Sequence, residues 1–396
     1  MNRTAKVVSV ATAGLLALGG MFPAAAEEKL AKSPVETCKV KTIYDVDLSA
    51  QPWWAESNVG FPKSTLRLPG KGTIKAVMLY VQFKDVKGSG SPVADSKQFT
   101  EYLNGYFASV SRKQVRFDVT VPNRIFSIPK NSSVYKMDKW NQGDPHSYAQ
   151  DALNAADPHV DFSGVDVVYV IPPKKIKSIV YGPAFPLDSG GFTFDTNEGP
   201  IMSMAVGGAD SRNFPDAKPG VWIVHETGHL FGMPHPYADA NVAAWDLMHW
   251  DNGVPEFLGW NRFINGWVGD NEVVCFDLRS KSKGAVNVNL EPLSRVAQGN
   301  KLVVLRTSSS KIVVLENRRA TKYDKLSSNN EGVIAYEVDL RKYGGSQIRL
   351  LSQGNTMNGW PLGTLRPGNS VTHGKIKASV VSKNSLKDTV RISIGK

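Results

Sequence analysis

The 396-residue chain is short of several features, and each shortage narrows its class. It has two cysteines, Cys38 and Cys275, which is too few for a disulfide-dense scaffold. Past residue 22, no apolar run approaches the length of a membrane span, which excludes a multi-spanning membrane protein. The sequence also has no internal repeat and no extended low-complexity tract, so neither a repeat array nor a disordered chain is expected.

The charge balance is basic, but the basic residues do not form a pattern typical of nucleic-acid binding. Lys and Arg number 47 against 36 Asp and Glu, which gives a formal net charge of +11. The densest basic run, at residues 174–177, has no interleaved aromatic residues, so we interpret it as a solvated loop and expect no nucleic-acid partner. The hydrophobic share of 41% is ordinary for a soluble globular protein, expected here to be monomeric, and the length suffices for two domains.

The first 26 residues have the pattern of a signal peptide. Arg3 and Lys6 precede an apolar run over residues 7–22, and the small residues that end at Ala26 form an Ala-x-Ala cleavage site. A membrane anchor is the alternative, but the run is shorter than the ~20 residues that a span needs. We therefore predict a secreted protein without a membrane span, cleaved after Ala26.

One stretch of eleven residues holds three of the seven histidines. His225 and His229 are four apart, so on a helix they share one face and can present ring nitrogens to one metal ion. Gly232 can take a left-handed conformation that ends the helix, after which His235 can reach the same ion. Three protein ligands with an open fourth position are typical of a catalytic zinc site. Glu226 lies beside the first ligand, where it can act as general base without being a ligand.

Hydrophobic periodicity divides the remaining chain near residue 270. Residues 73–270 alternate strands with helices, which predicts an α/β catalytic domain. The strand predicted at 201–206 is expected to form the rim of the cleft, where a peptide substrate can add as a further strand. Residues 178–200, rich in Gly, Pro and aromatics, are expected to be loop. The other predicted elements of this region are strands at 74–83, 115–121 and 165–171, with a further strand possible at 124–128, and helices at 96–110, 145–156, from Pro219 through the histidine motif, and at 255–265.

Two further regions flank the catalytic one. Residues 271–396 contain short alternating segments separated by turn residues, which predicts a C-terminal all-β sandwich domain. Residues 27–72 have little periodicity and are interpreted as an N-terminal extension or pro-segment. In an exported chain, Cys38 and Cys275 are expected to form one disulfide between that extension and the start of the β domain. The alternative is that Cys38 binds the metal as a thiolate in a latent form.

The histidine motif resembles that of the metzincin clan, H-E-x-x-H-x-x-G-x-x-H followed by a turn that contains a methionine, here Met248. Within that clan the chain is most similar to the immune inhibitor A family of bacterial secreted metalloproteases. Members of that family usually have Asp as third ligand, where this chain has His235. The resemblance covers about residues 73–394 and is carried by residues 161–166, 245–248, 255–260, 265–268, 313–318 and 332–339.

The resemblance implies a metzincin-like α/β (α+β) zincin domain over residues 73–270, followed by the β sandwich over residues 271–396. The implied function is that of a secreted zinc endopeptidase, which hydrolyses protein or peptide substrates with zinc-activated water and Glu226 as general base. A rival hypothesis is an extracellular surface-binding or adhesive protein, in which the zinc site is vestigial and the β domain binds the partner. Loss of motif residues would favour the rival, and none of them is lost.

The resemblance also implies roles around the metal. Met248 would form an apolar floor beneath it, and Asp246 would orient the turn or a ligand histidine. A structural Ca2+ ion is a further possibility, with Asp239, Asp246 and Asp251 as contributors that follow no calcium-loop pattern. Some metzincins have a tyrosine two residues after the turn methionine, a position that Trp250 occupies here. His249 or Tyr237 is the candidate for oxyanion binding in its place, with a structural role as the alternative.

Overall fold

The computed structural model describes residues 29–41, 59–186, 193–212, 220–249, 255–280, 283–328, 330–342, 345–352, 356–357, 360–361 and 363–395. The predicted signal peptide and its cleavage after Ala26 lie outside these residues, as do Pro219, Trp250 and Asp251. Within the described ranges, no helix combines the length and apolarity needed to cross a membrane.

The region before residue 270 contains a mixed sheet with helices on both faces. Its strand order is β2-β1-β4-β6-β5, with β3 paired to β1, and β5 runs antiparallel to its neighbour. The strands are β1 (Gly72–Gln82), β2 (Val115–Thr120), β3 (Ile125–Ser127), β4 (Val167–Ile171), β5 (Ala184–Pro186) and β6 (Ser203–Val206). The helices of the chain are α1 (Val35–Cys38), α2 (Pro92–Val110), α3 (Pro145–Ala156), α4 (Val221–Leu230) and α5 (Gly259–Ile264).

Each face of this sheet supports its own helices because side chains alternate along a strand. On β1, Met78 packs with α2 and α4 in one hydrophobic core, whereas Leu79 packs with α3 in another. Both cores are dense in aromatic rings, such as Phe107 of α2 and Trp222 of α4 in the first. The chain is therefore a mixed α/β protein, as predicted, and α4 is held over the sheet by the α2 side of the core.

The edge of the sheet is a different strand from the one expected. The predicted rim strand at 201–206 forms β6, which pairs with β4 on one side and β5 on the other, so it is internal. Among the described residues, the edge on this side of the sheet is β5, which lies within residues 178–200, a stretch predicted to be loop. With three residues and a proline at its end, β5 is too short to produce a periodic signal in the sequence.

The region after residue 270 contains two larger sheets and a small hairpin. One sheet has the order β12-β11-β10-β9-β7, and the other has the order β15-β16-β17-β8. The hairpin pairs β13 with β14. The strands are β7 (Val273–Asp277), β8 (Gly284–Leu290), β9 (Leu302–Arg306), β10 (Lys311–Arg318), β11 (Gly332–Asp339), β12 (Ile348–Leu350), β13 (Thr356–Met357), β14 (Trp360–Pro361), β15 (Ser370–His373), β16 (Ile376–Lys383) and β17 (Asp388–Ile394).

The sheet built on β10 and β11 is buried on both faces. Its side chains Val313 and Leu315 share a core with β8, β16 and β17 of the opposite sheet. Val314 of the same strand points the other way and shares a core with Trp245 and Trp260, which precede residue 270. One hydrophobic core therefore crosses the boundary that the sequence predicts near residue 270.

The N-terminal extension is bonded to the residues after position 270, here called the β region, and to the segment that precedes them. Cys38 and Cys275 form the predicted disulfide, with a Cα–Cα distance of 5.8 Å, so Cys38 offers no thiolate to a metal. The indole nitrogen of Trp260 donates to the carbonyl of Val59 at 2.6 Å. Backbone bridges join Ser33 to Cys275, Lys29 to Ala285, and Lys41 to Phe61. The described parts of residues 27–72 are thus packed into the fold.

Candidate metal centre

Helix α4 ends as the sequence predicts. Gly232 takes a left-handed conformation, with φ of +94°. The N–H of Gly232 donates to the carbonyl of His229, and the N–H of Met233 donates to the carbonyl of Gly228 at 3.0 Å. These two bonds form a Schellman motif, which satisfies the last carbonyls of the helix and turns the chain back. The turn directs the following segment, with His235, toward the face of α4 that carries the other two histidines.

The three predicted ligands converge. Nε2 of His235 lies 3.0 Å from Nε2 of His225 and 2.8 Å from Nε2 of His229. The two helix histidines are buried, and His235 is partly buried. One ligand atom from each of the three histidines lies within 4.8 Å of the other two, which is close enough to hold a metal ion.

Backbone carbonyls determine which nitrogen of each helix histidine faces the centre. Nδ1 of His225 donates to the carbonyl of Leu247 at 3.1 Å, and Nδ1 of His229 donates to the carbonyl of Met233 at 2.9 Å. A carbonyl oxygen can only accept, so the proton of each neutral ring is on Nδ1 and the lone pair is on Nε2. Both Nε2 lone pairs therefore point into the centre, as metal ligation requires.

The electrostatics favour neutral rings that a cation can bind. Burial, together with the neighbouring His229 and His235, keeps the pKa of His225 well below its ordinary value. Burial and the neighbouring His249 lower the pKa of His235 to about 3. The Nε2 lone pairs of His225 and His229 are available to one cation, and Nε2 of His235 lies within 3.0 Å of both atoms. Ligands about 2.0–2.1 Å from a tetrahedral ion lie roughly 3.3 Å apart. The set therefore fits a metal ion that prefers imidazole.

The turn after the ligands supports His225 from below. Its carbonyl acceptor, Leu247, and Met248 lie in one helical turn, whose N–H at Met248 donates to Oδ1 of Asp246 at 3.1 Å. Oδ2 of Asp246 accepts from the side-chain amide of Asn261 at 3.2 Å. Burial raises the pKa of the Asp246 carboxyl to about 7, against the N–H of Met248, which favours the ionised form. Asp246 thus shapes the turn whose Leu247 carbonyl accepts from His225, a predicted ligand, and Met248 is fully buried beneath α4.

Glu226 is held by the edge strand of the sheet. Its Oε2 accepts from the N–H of Ala184 in β5 at 2.8 Å. Val206 donates to the carbonyl of Pro183, so the next pair along the two strands, Ala184 with Ala205, is not hydrogen-bonded. The N–H of Ala184 consequently points away from β6, and Glu226 meets it beyond the edge of the sheet. The carboxylate of Glu226, one residue after His225 on α4, is therefore fixed at β5.

Two residues proposed from the sequence for oxyanion binding lie beside the third ligand. The ring of Tyr237 stacks on His235 with centroids 4.1 Å apart, and it is 48% exposed. His249 is buried, and its ring meets Tyr237 edge-on at 5.9 Å. These contacts show both side chains at the centre, and their roles stay predictions.

The structure describes two of the three aspartates in the calcium prediction, Asp239 and Asp246. Oδ2 of Asp239 accepts from the N–H of Leu350 at 2.7 Å, and its Oδ1 accepts from Asn241. Asp246 accepts from Met248 and Asn261, as described above. Because Asp251 lies outside the described residues, the three carboxylates cannot be compared, and structural Ca2+ stays a prediction.

Sequence reasoning missed one support of the second ligand. Arg67, in the N-terminal extension, is 7% exposed, and its Nη1 donates to the carbonyl of His229 at 2.5 Å. Leu68 adds a backbone bond, because its N–H donates to the carbonyl of Leu230 at 3.0 Å. Both acceptors are main-chain atoms, so no side-chain pattern in the sequence marks the contact.

A scan against protein-family models finds no matching family, and a search of curated proteins finds no matching relative. The resemblance to the metzincins and to the immune inhibitor A family therefore stays a prediction from the motif.

Proposed function

We propose that this protein is a secreted metal-dependent endopeptidase whose metal is zinc, held by His225, His229 and His235. The observation that carries the proposal is the convergence of three Nε2 atoms within 4.8 Å of one another, two of them with the tautomer set by backbone carbonyls. Glu226 directly follows the first ligand on α4 and is held by the N–H of Ala184, and a Glu next to the first ligand histidine is the pattern that hydrolysis by activated water uses. The disulfide between Cys38 and Cys275 supports an oxidising, extracellular location.

The mechanism assigns distinct tasks to the chain's own groups. When bound, zinc supplies a Lewis acid that lowers the pKa of water to about 7 and polarises the scissile carbonyl. Glu226 accepts the proton of the attacking water at its carboxylate and then delivers it to the leaving amine. The N–H of Ala184 holds Glu226, and the outward-facing carbonyl of Ala184 accepts from an extended substrate, which adds to β5 as a further strand. The buried side chain of Met248 forms an apolar floor beneath the histidines and excludes water from that side.

The experiment that tests this function is the Glu226→Gln substitution. The amide keeps an oxygen for the N–H of Ala184 but cannot take a proton from water. We expect casein hydrolysis to fall by about 10²–10⁴-fold, the usual contribution of a general base, while zinc stays bound. Zinc content by atomic absorption and casein cleavage by gel would be measured on the same preparation, with and without chelator.

Two histidine variants provide matched controls. His229→Ala removes a ligand and should lose both zinc and hydrolysis, whereas His159→Ala, at an exposed site after α3, should lose neither. Unchanged casein hydrolysis by the Glu226→Gln protein would contradict the proposal. A wild-type protein that holds zinc but cleaves no peptide bond would instead favour the adhesive protein with a vestigial site.

A further inference from the structure

Residues after position 270 reach the metal centre at two separate points. The first is Arg318, at the end of β10, whose side chain is 1% exposed. Its Nη1 donates to the carbonyl of Trp245 at 3.1 Å, and its guanidinium lies over the ring of Trp245 at 5.7 Å. Trp245 opens the turn whose Leu247 carbonyl accepts from His225. Arg318 thus binds a residue that lies two positions before Leu247, whose carbonyl orients the first ligand.

The position of the guanidinium is determined from several sides. Its Nε and Nη2 donate to the two carboxylate oxygens of Asp324 at 2.8 and 2.7 Å. Its Nη1 also donates to Glu316 at 2.9 Å, and its Nη2 to the carbonyl of Glu256 at 3.1 Å. Every one of its five N–H groups has an acceptor, so the group at the Trp245 carbonyl has little freedom to move.

The second point is the segment between β11 and β12, which supports the third ligand. The N–H of Ala238 donates to the carbonyl of Gly345 at 3.1 Å. Gly345 has φ of +82°, and a Cβ there would stand 3.2 Å from the carbonyl oxygen of His235 and 3.1 Å from the nitrogen of Tyr237. Further along, Leu350 donates to Asp239. The segment that carries His235 therefore lies directly on the β region.

We propose that the β region is a structural half of the metal centre, in which Arg318 positions His225 through the turn at 245–248 and Gly345 positions His235. This inference rests on the metal centre of the proposed function, but it concerns metal binding and not hydrolysis. Residues that orient metal ligands typically contribute about 10–100-fold to metal affinity. The β region is accordingly not an independent module whose only task is to bind a separate partner.

The first test compares two glycines of similar conformation. Gly345→Ala and Gly368→Ala both place a Cβ at positive φ, +82° and +87°, but no atom lies within 4 Å of the second site. Backbone strain is thus matched, and only the first substitution presses on the His235 segment. We expect zinc affinity, measured by competition with a chromophoric chelator, to fall about 10-fold or more in Gly345→Ala and to stay within twofold of wild type in Gly368→Ala.

The second test compares neighbouring arginines. Arg318→Lys keeps the charge but cannot reach all five acceptors, whereas Arg319→Lys alters an ion pair with Asp388 inside the sandwich. The visible spectrum of the cobalt-substituted protein reports ligand geometry. We expect it to change in Arg318→Lys and to match wild type in Arg319→Lys, even if both variants unfold at lower urea concentration.

The outcomes separate this inference from the proposed function. If Gly345→Ala and Arg318→Lys keep wild-type zinc affinity and cobalt spectra, the β region does not position the ligands and the inference is wrong, whatever the casein assay gives. If wild type binds zinc without cleaving casein, the function fails while both comparisons still report on positioning. A wild-type chain that binds no metal overturns both.

Discussion

At the scale of single residues, the centre depends on main-chain atoms as much as on side chains. The rings of His225 and His229 are oriented by the carbonyls of Leu247 and Met233, and Glu226 is held by the N–H of Ala184. A carbonyl can come from any residue type, so none of these partners is visible in the sequence. The convergence of the three histidines was predictable because metal ligation requires particular residue types at a fixed spacing, and the role of Glu226 stays a prediction.

Gly228 shows how closely the turn approaches α4. A Cβ at this position would stand 2.4 Å from Sδ of Met248 and 3.3 Å from the ring of Phe257. We expect Gly228→Ala to lower the free energy of unfolding by about 1–3 kcal/mol through overpacking, although alanine favours a helix by about 1 kcal/mol. Urea unfolding of the metal-free protein measures the change.

The control for this prediction is a double-mutant cycle. Met248→Ala removes the side chain that Gly228→Ala would displace, so the two changes together should cost less than the sum of the single changes. Additive losses, or a Gly228→Ala protein more stable than wild type, would show that the helix and the turn are not in tight contact.

At the scale of secondary structure, long periodic segments were predictable and short ones were not. The strand predicted at 74–83 is β1, and the helix predicted at 96–110 is the body of α2. Helix α2 begins earlier, at Pro92, because Ser91 caps it and accepts from the N–H of Ala94. The helix predicted from residue 96 therefore began four residues too late.

The helix predicted at 255–265 is shorter than its hydrophobic pattern suggested. Helix α5 begins at Gly259, and three N–H groups at or before its first turn donate to side chains of the β region. Those of Glu256, Gly259 and Trp260 donate to the side chains of Asp324, Glu316 and Tyr336. These acceptors come from distant segments, so the periodicity of residues 255–265 carries no information about them.

An ion pair joins the end of α2 to the entrance of β7. Arg112 donates from both Nη atoms to the two carboxylate oxygens of Glu272, and both side chains are 10% exposed. Burial alone would raise the pKa of Glu272, but the hydrogen bonds from Arg112 and Gly269 and the charge of Arg112 outweigh it. The pKa is therefore held below its ordinary value of 4.5.

This lowered pKa predicts a pH-dependent contribution to stability. Because the folded protein favours the ionised carboxylate, the contribution is present above pH 4.5 and is lost as the pH falls through the folded-state pKa. We expect Glu272→Gln to lower the free energy of unfolding by about 1–3 kcal/mol at pH 7 and to have a smaller effect at pH 3. Urea unfolding at the two pH values measures this.

The exposed pair of Lys97 and Glu101 provides the control, because its side chains are 76% and 67% exposed. Glu101→Gln should change stability by less than about 0.5 kcal/mol at either pH. An effect of Glu272→Gln that grew toward acid pH would mean that its carboxylate is not stabilised in the folded state.

At the scale of the whole molecule, the sheet that contains β10 and β11 explains how the regions before and after residue 270 are joined, because each of its faces packs against a different region. Val313 and Val314 are neighbours on β10, yet they belong to cores on opposite faces. The sequence predicted short strands that pack as a sandwich. One face of this sheet does pack against the sheet that contains β8, β16 and β17. The sequence could not predict that the second face is covered, because the covering residues, such as Trp245 and Trp260, come from an earlier region with its own pattern.

The disulfide contributes to the stability of the whole chain. It joins residues 237 apart in sequence, Cys38 and Cys275, so it removes much of the freedom of the unfolded chain. We expect Cys38→Ser with Cys275→Ser to lower the free energy of unfolding by about 2–5 kcal/mol. Urea unfolding of wild type with and without reductant should reproduce the same difference, and an unchanged midpoint in both experiments would contradict the prediction.

The position of Arg318 and Gly345 after the ligands has a consequence for the order in which the protein is made. Synthesis delivers His225, His229, His235 and Glu226 before Arg318 and Gly345, the two residues of the β region that are inferred to position His225 and His235. The sheet behind them closes later still, when β17 pairs with β8 near the end of the chain. For the proposed endopeptidase, the chemical groups thus exist well before the geometry does. A nascent chain is expected to have no hydrolytic activity until nearly all of it has emerged, which delays proteolysis without a separate inhibitor.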